Sequence, residues 1–175
     1  RESFNMSSNI DDSKDRILIV EDEAIISADL SSRLKGFGYA VCGQATCGEE
    51  ALELIERHRP DLVMMDIVIQ GEMDGIDAAK AIKNKWGIPV VFLTAYADED
   101  RLERAKLTYP FGYILKPFQD RELKIGVAMA LYVAKVDAER REIEEELRES
   151  EKNYRMLFTH APTGIYEIDF TTVGF

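Results

Sequence analysis

The chain has 175 residues, of which 46% are hydrophobic and 31% are charged, a composition typical of a globular protein rather than a disordered one. Its net charge of −11 argues against nonspecific binding to nucleic acid or to an anionic membrane surface. The two cysteines lack the spacing of a zinc site or of a CxxC motif, and no apolar stretch approaches the length of a membrane span. We therefore expect a cytoplasmic protein, in a reducing compartment, that binds neither nucleic acid nor membrane.

The chain begins with a polar segment, residues 1–13, which lacks the apolar core of a signal peptide and is interpreted as a disordered leader. From Arg16 onward, short apolar runs alternate with segments of helical period. The runs are continuous rather than alternating, and they are found at 17–20, 39–43, 62–65, 90–93 and 111–115. Continuous runs are typical of strands that are buried on both faces of a parallel sheet.

The segments between the runs repeat apolar residues every three or four positions, as Ile26, Leu30 and Leu34 do, which predicts amphipathic helices. Gly36 and Gly38 are predicted to end the first helix, and Gly87 the third, in left-handed caps. The alternation of strands and helices indicates an α/β protein with a doubly wound parallel sheet and helices on both faces.

Polar residues follow four of the five predicted strands, where ligands bind in doubly wound sheets. Glu21 and Asp22 follow the first strand, Asp66 the third, Thr94 the fourth and Lys116 the fifth. Taken singly, each position is ordinary, since an acid or a threonine after a strand is most often a helix cap and a lysine before a proline most often faces solvent. Taken together, they predict three carboxylates, a hydroxyl and an ammonium group at one edge of the sheet.

The chemistry of this set is coherent. Clustered carboxylates without a nearby histidine or cysteine suit Mg²⁺. A carboxylate beside such an ion can act as a nucleophile toward phosphorus and form an aspartyl phosphate. In that chemistry Lys116 would supply further positive charge, and the Thr94 hydroxyl would donate to a phosphoryl oxygen. The strand that ends at Asp66 is therefore interpreted as one that presents a nucleophile.

Residues 14–135 resemble the receiver domain of two-component response regulators. The resemblance rests on four motifs, "IVEDE" with its acidic pair, "MMDI" with Asp66, "FLTA" with Thr94, and "GYILKPF" with Tyr113 and Lys116-Pro117. It implies a flavodoxin-like fold with five parallel strands in the order 2-1-3-4-5. It also implies that Asp66 accepts a phosphoryl group from a histidine kinase or a histidine phosphotransfer protein.

The resemblance implies the roles of the other site residues as well. Four groups would hold Mg²⁺, namely the carboxylates of Glu21, Asp22 and Asp66 and the backbone carbonyl of Val68. Lys116 would bind the phosphoryl group, and Thr94 and Tyr113 would be the switch hydroxyl and the switch aromatic residue.

The loop after Asp66, "IVIQGEMDG", departs from the family pattern, because it has no proline and is one residue longer than usual. The assignment of the Val68 carbonyl depends on this loop. Val68 and Ile69 either offer an apolar contact to a partner or pack beneath the loop, and packing is the simpler interpretation. A second departure is Glu21, which stands where many receivers carry aspartate.

Two other classes of function stay open. A pseudo-receiver would act as a dimerisation or binding module without being phosphorylated, although the acids, the threonine and the lysine of the site are all intact. An aspartyl-phosphate phosphatase would need a second aspartate at the position of Val68. A receiver promotes its own phosphorylation and dephosphorylation and is not otherwise an enzyme, while a kinase domain elsewhere in a longer protein stays open.

The helical pattern at the end of the chain contains no glycine or proline between Val127 and Ala161. A heptad seam runs along it, with apolar or small residues at Met129, Val133, Val136, Ile143, Leu147, Ser150, Tyr154 and Leu157. Arg140 fills one step of the seam and, with Ser150, weakens it. Residues 136–157 are predicted to form a parallel two-stranded coiled coil, and hence a homodimer. The alternative is a charged single helix packed on its own domain. Residues 158–175 resemble the start of a PAS sensor domain, so the signal would pass through this helix to a PAS-containing output.

Overall fold

The computed structural model describes residues 14–95, 99–106, 108 and 110–160, with side chains for all of these except 99–102 and 157–160. The predicted leader, the predicted seam side chain of Leu157 and nearly all of the predicted PAS segment lie outside the described residues.

Strands and helices alternate along the described chain. The strands are β1 (Arg16–Val20), β2 (Ala40–Ala45), β3 (Leu62–Asp66), β4 (Val90–Thr94) and β5 (Gly112–Leu115). The helices are α1 (Ala24–Gly36), α2 (Gly48–His58), α3 (Gly75–Trp86), α4 (Glu99–Lys106) and α5 (Asp120–His160). Each predicted strand is present and lies close to its predicted bounds.

The five strands form one parallel sheet in the order β2-β1-β3-β4-β5. This confirms the predicted doubly wound, flavodoxin-like fold. In the register of the sheet, Val20 pairs with Met65, Asp66 with Leu93, and Thr94 with Leu115. The carboxyl ends of β1, β3, β4 and β5 therefore meet at one edge.

The core lies in two layers, one on each face of the sheet. Along β1, Leu18 packs in the layer that includes α2 and α3, and Ile17 packs in the layer that includes α1 and α5. Every residue of β3 and β4 is buried, including Asp66 and Thr94 at their carboxyl ends. Burial on both faces explains why these strands are continuously apolar rather than alternating.

The helix ends differ from the sequence-based expectation in one respect. Gly38 has a left-handed backbone with φ of 97°, but Gly36 does not, because Phe37 continues the right-handed turn and donates its N–H to Arg33 and Leu34 carbonyls. Gly87 closes α3 with φ of 67°, as predicted.

Helix α5 has 41 residues and begins at Asp120. The chain divides into two compact units between Lys135 and Val136. In the first unit, Leu123, Val127, Ala130 and Leu131 of α5 are buried in the core. In the second, the side chains from 136 to 156 are almost all exposed. None of the described helices is both long and apolar enough to cross a membrane.

Candidate functional site

Asp66 ends β3 and is almost fully buried, with 6% of its surface exposed. Its Oδ2 accepts a hydrogen bond from Lys116 Nζ at 2.6 Å, and its Oδ1 accepts one from the Val68 N–H at 3.0 Å. Burying a carboxylate without hydrogen-bond or charge partners would cost much folding free energy, and these two contacts supply the partners. The single charge in this apolar strand is therefore held in place at the edge of the sheet.

Lys116 bridges two acids, because its Nζ also donates to Glu21 Oε2 at 2.6 Å. The Glu21 side chain is fully buried, and this burial, with the nearby Asp66 charge, outweighs the Lys116 hydrogen bond and raises the pKa of Glu21. Burial opposes the charge of Lys116 as well, but the hydrogen bonds to Asp66 and Glu21 prevail and raise its pKa. Lys116 is thus a fixed cation between two carboxylates.

Asp22 completes a cluster of three carboxylates. One oxygen each of Glu21, Asp22 and Asp66 lies within 4.8 Å of the other two. The donors are all oxygen atoms, and together they carry more negative charge than Lys116 neutralises. Such a set fits a hard divalent cation of the Mg²⁺ class. Val68 is tied to the cluster by its N–H, which donates to Asp66 Oδ1 at 3.0 Å.

Thr94 and Tyr113 lie on the neighbouring strands β4 and β5. Thr94 is buried, and its hydroxyl donates to the Ala95 carbonyl at 3.1 Å. The Tyr113 ring stacks on Phe92 with centroids 5.9 Å apart, and its buried hydroxyl has no hydrogen-bond partner among the described residues. The structure thus brings the three acids and Lys116 into one cluster. Thr94 and Tyr113 lie on its β4–β5 side, and no described hydrogen bond joins their side chains to the cluster.

The loop from 67 to 74 corrects one expectation. Ile69 packs against the core, as the simpler interpretation holds, but Val68 does not pack beneath the loop and is 50% exposed. The reason is local, since the Val68 N–H is held by Asp66 and its side chain is left on the outer side of the turn.

Gly75 is a residue whose importance the sequence did not reveal. A Cβ atom at this position would lie 2.0 Å from the backbone oxygen of Asp66, so the first turn of α3 touches the backbone of the site. Asp74 caps this helix by accepting the Asp77 N–H at 2.9 Å, and it also pairs with Arg104 at 3.0 Å. The "MDG" run is the signal that marks this turn in the sequence.

A cleft of about 580 Å³ lies beside Lys116, between α1 and the segment that follows β5. Its lining combines apolar and charged side chains, those of Ile25, Ile26, Asp29, Arg33, Lys116, Pro117 and Phe118. The Lys116–Pro117 peptide bond in its wall is cis. Ile25 is 86% exposed and offers an apolar contact close to the acidic cluster.

The fold and the cluster define a class of doubly wound α/β proteins that carry an acidic, lysine-bridged pocket at the carboxyl edge of the sheet. Within that class, the chain belongs to the response regulator receiver domain family, whose family model matches residues 17–128. It is thus a receiver domain of two-component signalling. Receiver domains bind Mg²⁺ at an acidic pocket, and response regulators interact with histidine kinases or phosphotransfer proteins.

Three known proteins illustrate the similarity. PdtaR, a transcriptional regulatory protein of Mycobacterium tuberculosis, is 44% identical over 116 residues, which cover 66% of this chain and 56% of PdtaR. The signal receiver domain of a modulated diguanylate cyclase from Desulfovibrio desulfuricans has a TM-score of 0.67 and 34% identity, covering 70% of this chain and 97% of that one. The N-terminal domain of a response regulator/sensory box/GGDEF protein from Carboxydothermus hydrogenoformans has a TM-score of 0.65 and 35% identity, covering 70% and 98%. The chain spans about half the length of the curated relatives it matches.

Proposed function

We propose that the chain is the phosphoacceptor of a two-component phosphorelay and that Asp66 takes a phosphoryl group from a phosphohistidine donor. The proposal is carried by the buried Asp66 carboxylate, 2.6 Å from Lys116 in a cluster of three acids. A carboxylate oxygen of Asp66 attacks phosphorus, and a new O–P bond forms as the N–P bond of the donor breaks. The electron pair of that bond returns to the imidazole nitrogen of the donor.

The surrounding groups suit this reaction. Four of them would hold Mg²⁺, namely the carboxylates of Glu21, Asp22 and Asp66 and the carbonyl of Val68. Bound Mg²⁺ would neutralise charge on the phosphoryl oxygens. Lys116 would supply the second positive charge, since it needs only to exchange an Asp66 oxygen for a phosphoryl oxygen attached to the same side chain. The Thr94 hydroxyl would leave the Ala95 carbonyl and donate to the phosphoryl group.

The expected donor is a histidine kinase or a histidine phosphotransfer protein. Apolar side chains are exposed around the acidic pocket, with Ile25 at 86%, Val68 at 50% and Leu115 at 39% exposure. Together with the cleft beside Lys116, they would let a protein donor dock with its phosphohistidine facing Asp66. A small phosphodonor would not need these contacts.

We further propose that the signal leaves through Tyr113 and α5. When Thr94 turns toward the phosphoryl group, it leaves space into which the Tyr113 ring can move. The Tyr113 hydroxyl has no hydrogen-bond partner among the described residues, so no hydrogen bond of this hydroxyl holds the ring in its present position. Helix α5 follows β5 and runs without a break from Asp120 to His160. A bound phosphoryl group can shift this equilibrium only by its differential affinity for the two states.

The second unit of the chain is proposed to be a parallel coiled-coil linker, residues 136–157, followed by the start of a PAS domain at 158–175. The apolar seam is exposed in the single chain, with Ile143 at 65%, Leu147 at 60% and Tyr154 at 64%. A second copy would cover this stripe, as two-stranded coiled coils do. The Carboxydothermus structure supports this order of domains, because the domain similar to this chain is the N-terminal domain of a response regulator/sensory box/GGDEF protein.

The phosphorylation proposal is tested by incubating the protein with Mg²⁺ and acetyl phosphate and measuring its mass. We expect one phosphoryl group per chain, stable in acid and labile in base. Asp66→Asn keeps the shape of the side chain but removes the nucleophile, and we expect it to gain no phosphoryl mass. Equal phosphoryl uptake by the variant would show that Asp66 is not the acceptor.

A further inference from the structure

The loop between β3 and α3, residues 67–74, lies against the start of α2. Cys47, the residue before α2, forms an isolated parallel bridge with Gln70 in the loop. A Cβ atom at Gly48 would lie 3.2 Å from the Ala78 side chain and 3.3 Å from the Met73 side chain. The first turn of α2 therefore touches both the loop that follows Asp66 and the helix after it.

Glu49 faces this loop with its carboxylate. Gly71 adopts a left-handed backbone with φ of 123°, and a Cβ atom there would lie 3.0 Å from Glu49 Oε2. The backbone N–H of Glu49 itself, the Cys47 thiol and the N–H groups of Met73 and Glu72 lower the pKa of Glu49. The carboxylate of Glu49 thus lies beside the loop at Gly71.

The adjacent Glu50 has a different function. Its Oε2 accepts the Thr46 N–H at 2.8 Å and the Thr46 hydroxyl at 3.1 Å. Both contacts close the first turn of α2 on itself, in the manner of a helix cap. The two neighbouring glutamates thus make different contacts. Glu50 caps its own helix, whereas Glu49 lies beside the loop that follows Asp66.

We propose that Glu49 is a positioning residue, which holds the 67–74 loop so that the Val68 peptide stays against Asp66. The loop contains no proline that would restrict its backbone, and the carboxylate from α2 supplies the restraint instead. This inference rests on the proposed function, because it makes the Val68 carbonyl a metal ligand whose position Glu49 secures.

The test compares Glu49→Ala, Glu49→Gln and the control Glu53→Ala with the unmodified protein. Glu49→Ala removes the acceptor, and we expect faster amide exchange at 68–73 and about a tenfold weaker Mg²⁺ affinity, the effect typical of losing a group that orients a ligand. Glu49→Gln keeps an acceptor oxygen and should restore both values. Glu53→Ala removes the same charge from an exposed position further along α2, away from the helix cap, and should leave both unchanged.

Amide exchange is followed by mass spectrometry, Mg²⁺ binding by calorimetry and folding by the thermal midpoint, which should stay the same for the exposed Glu49. If Glu49→Ala matches Glu53→Ala in loop exchange and in Mg²⁺ affinity, or if Glu49→Gln restores neither, the proposal is overturned. Failure of the unmodified protein to take up a phosphoryl group would count against Asp66 as acceptor, whereas loop exchange would still decide the role of Glu49.

Discussion

The carboxyl edge of the sheet and the helix from 136 to 156 are both rich in charged side chains, but these side chains are buried at the sheet edge and exposed along the helix. At the sheet edge, the side chains of Glu21, Asp66 and Lys116 are 0%, 9% and 15% exposed, and both Lys116 contacts are 2.6 Å long. Removing one member of such a buried set leaves the others without a partner, which is strongly destabilising.

Along the helix, the ion pairs are exposed. Arg148 and Glu145 lie 2.6 Å apart, yet their side chains are 77% and 63% exposed. Pairs of this kind contribute about 0–1 kcal/mol. Charge therefore fixes side-chain positions at the sheet edge, whereas the proposed dimer would depend on the apolar seam of the helix. Substitutions should accordingly have large local effects in the first region and mainly affect association in the second.

The largest expected effect is that of Gly75→Ala. Its new Cβ would lie 2.0 Å from the Asp66 backbone oxygen, which cannot move without shifting the site. We expect the free energy of unfolding to fall by about 3 kcal/mol in urea titrations. Gly36→Ala is the matched control, because its Cβ meets no atom within 4 Å and should stabilise α1 by about 0.5–1 kcal/mol. Equal stabilities of the two variants would contradict the close contact.

Asp22→Ala should raise the dissociation constant for Mg²⁺ at least about tenfold, or about 1.4 kcal/mol, because it removes one of three clustered carboxylates. Calorimetric titration with MgCl₂ measures the change. Asp29→Ala serves as the control, since Asp29 is an acid on α1 that pairs with Arg33 at 2.8 Å outside the cluster. Unchanged binding in Asp22→Ala would remove Asp22 from the proposed ligand set.

Asp74→Ala should lower stability by about 1 kcal/mol at neutral pH, because α3 loses its cap. Burial alone would raise the pKa of Asp74, but the Asp77 N–H and Arg104 prevail and lower it from its ordinary value of 3.8. The stabilisation is therefore present above 3.8 and is lost as the pH falls through the lowered pKa.

Urea titrations at several pH values check this sign. The difference between the unmodified protein and Asp74→Ala should shrink at acid pH. Asp74→Asn is the control, because it keeps a capping oxygen but has no carboxyl group to titrate. A difference that stayed constant down to pH 2 would show that Asp74 is not the titrating cap.

The smallest expected effect concerns the helix. In a protein with Cys42 and Cys47 replaced by serine, a Leu147→Cys pair should form disulfides across the proposed dimer, and beryllofluoride should change the yield by about twofold. Thr94→Ala should abolish that change while permitting phosphorylation. Glu145→Cys, which lies on the charged side of the helix, should cross-link poorly in both states. Equal yields from Leu147→Cys with and without beryllofluoride would argue against transmission through the helix.

The sheet and the acidic cluster could be predicted from sequence because both follow from local pattern. A buried parallel strand is continuously apolar, and a polar residue directly after it must lie at the carboxyl edge, which located Glu21, Asp66 and Lys116. Glu49 and Gly75 were missed because their significance lies in distances to a loop and a backbone that are far away in the sequence. Local pattern indicates the residue type at a position, but not which distant atom will lie beside it.

The left-handed residues show the same limit on a smaller scale. Gly87 ends α3 in a left-handed conformation, which is the conformation that a glycine at a helix end predicts. Helix α2 instead ends at Arg59, with φ of 47°, and an arginine does not indicate a left-handed cap. The roles of Thr94 and Tyr113 and the coiled-coil seam stay predictions, since they concern a second state or a second copy of the chain.

The register of the sheet has a consequence for which changes of length the protein tolerates. Val20 pairs with Met65 and Asp66 pairs with Leu93. The position of each site residue therefore depends on the register of its strand in the sheet. Deleting one residue within β3 would turn its following side chains to the opposite face. Changes of length should therefore be tolerated in the loops between the elements, whereas the interval between a strand and its polar residue should not tolerate them.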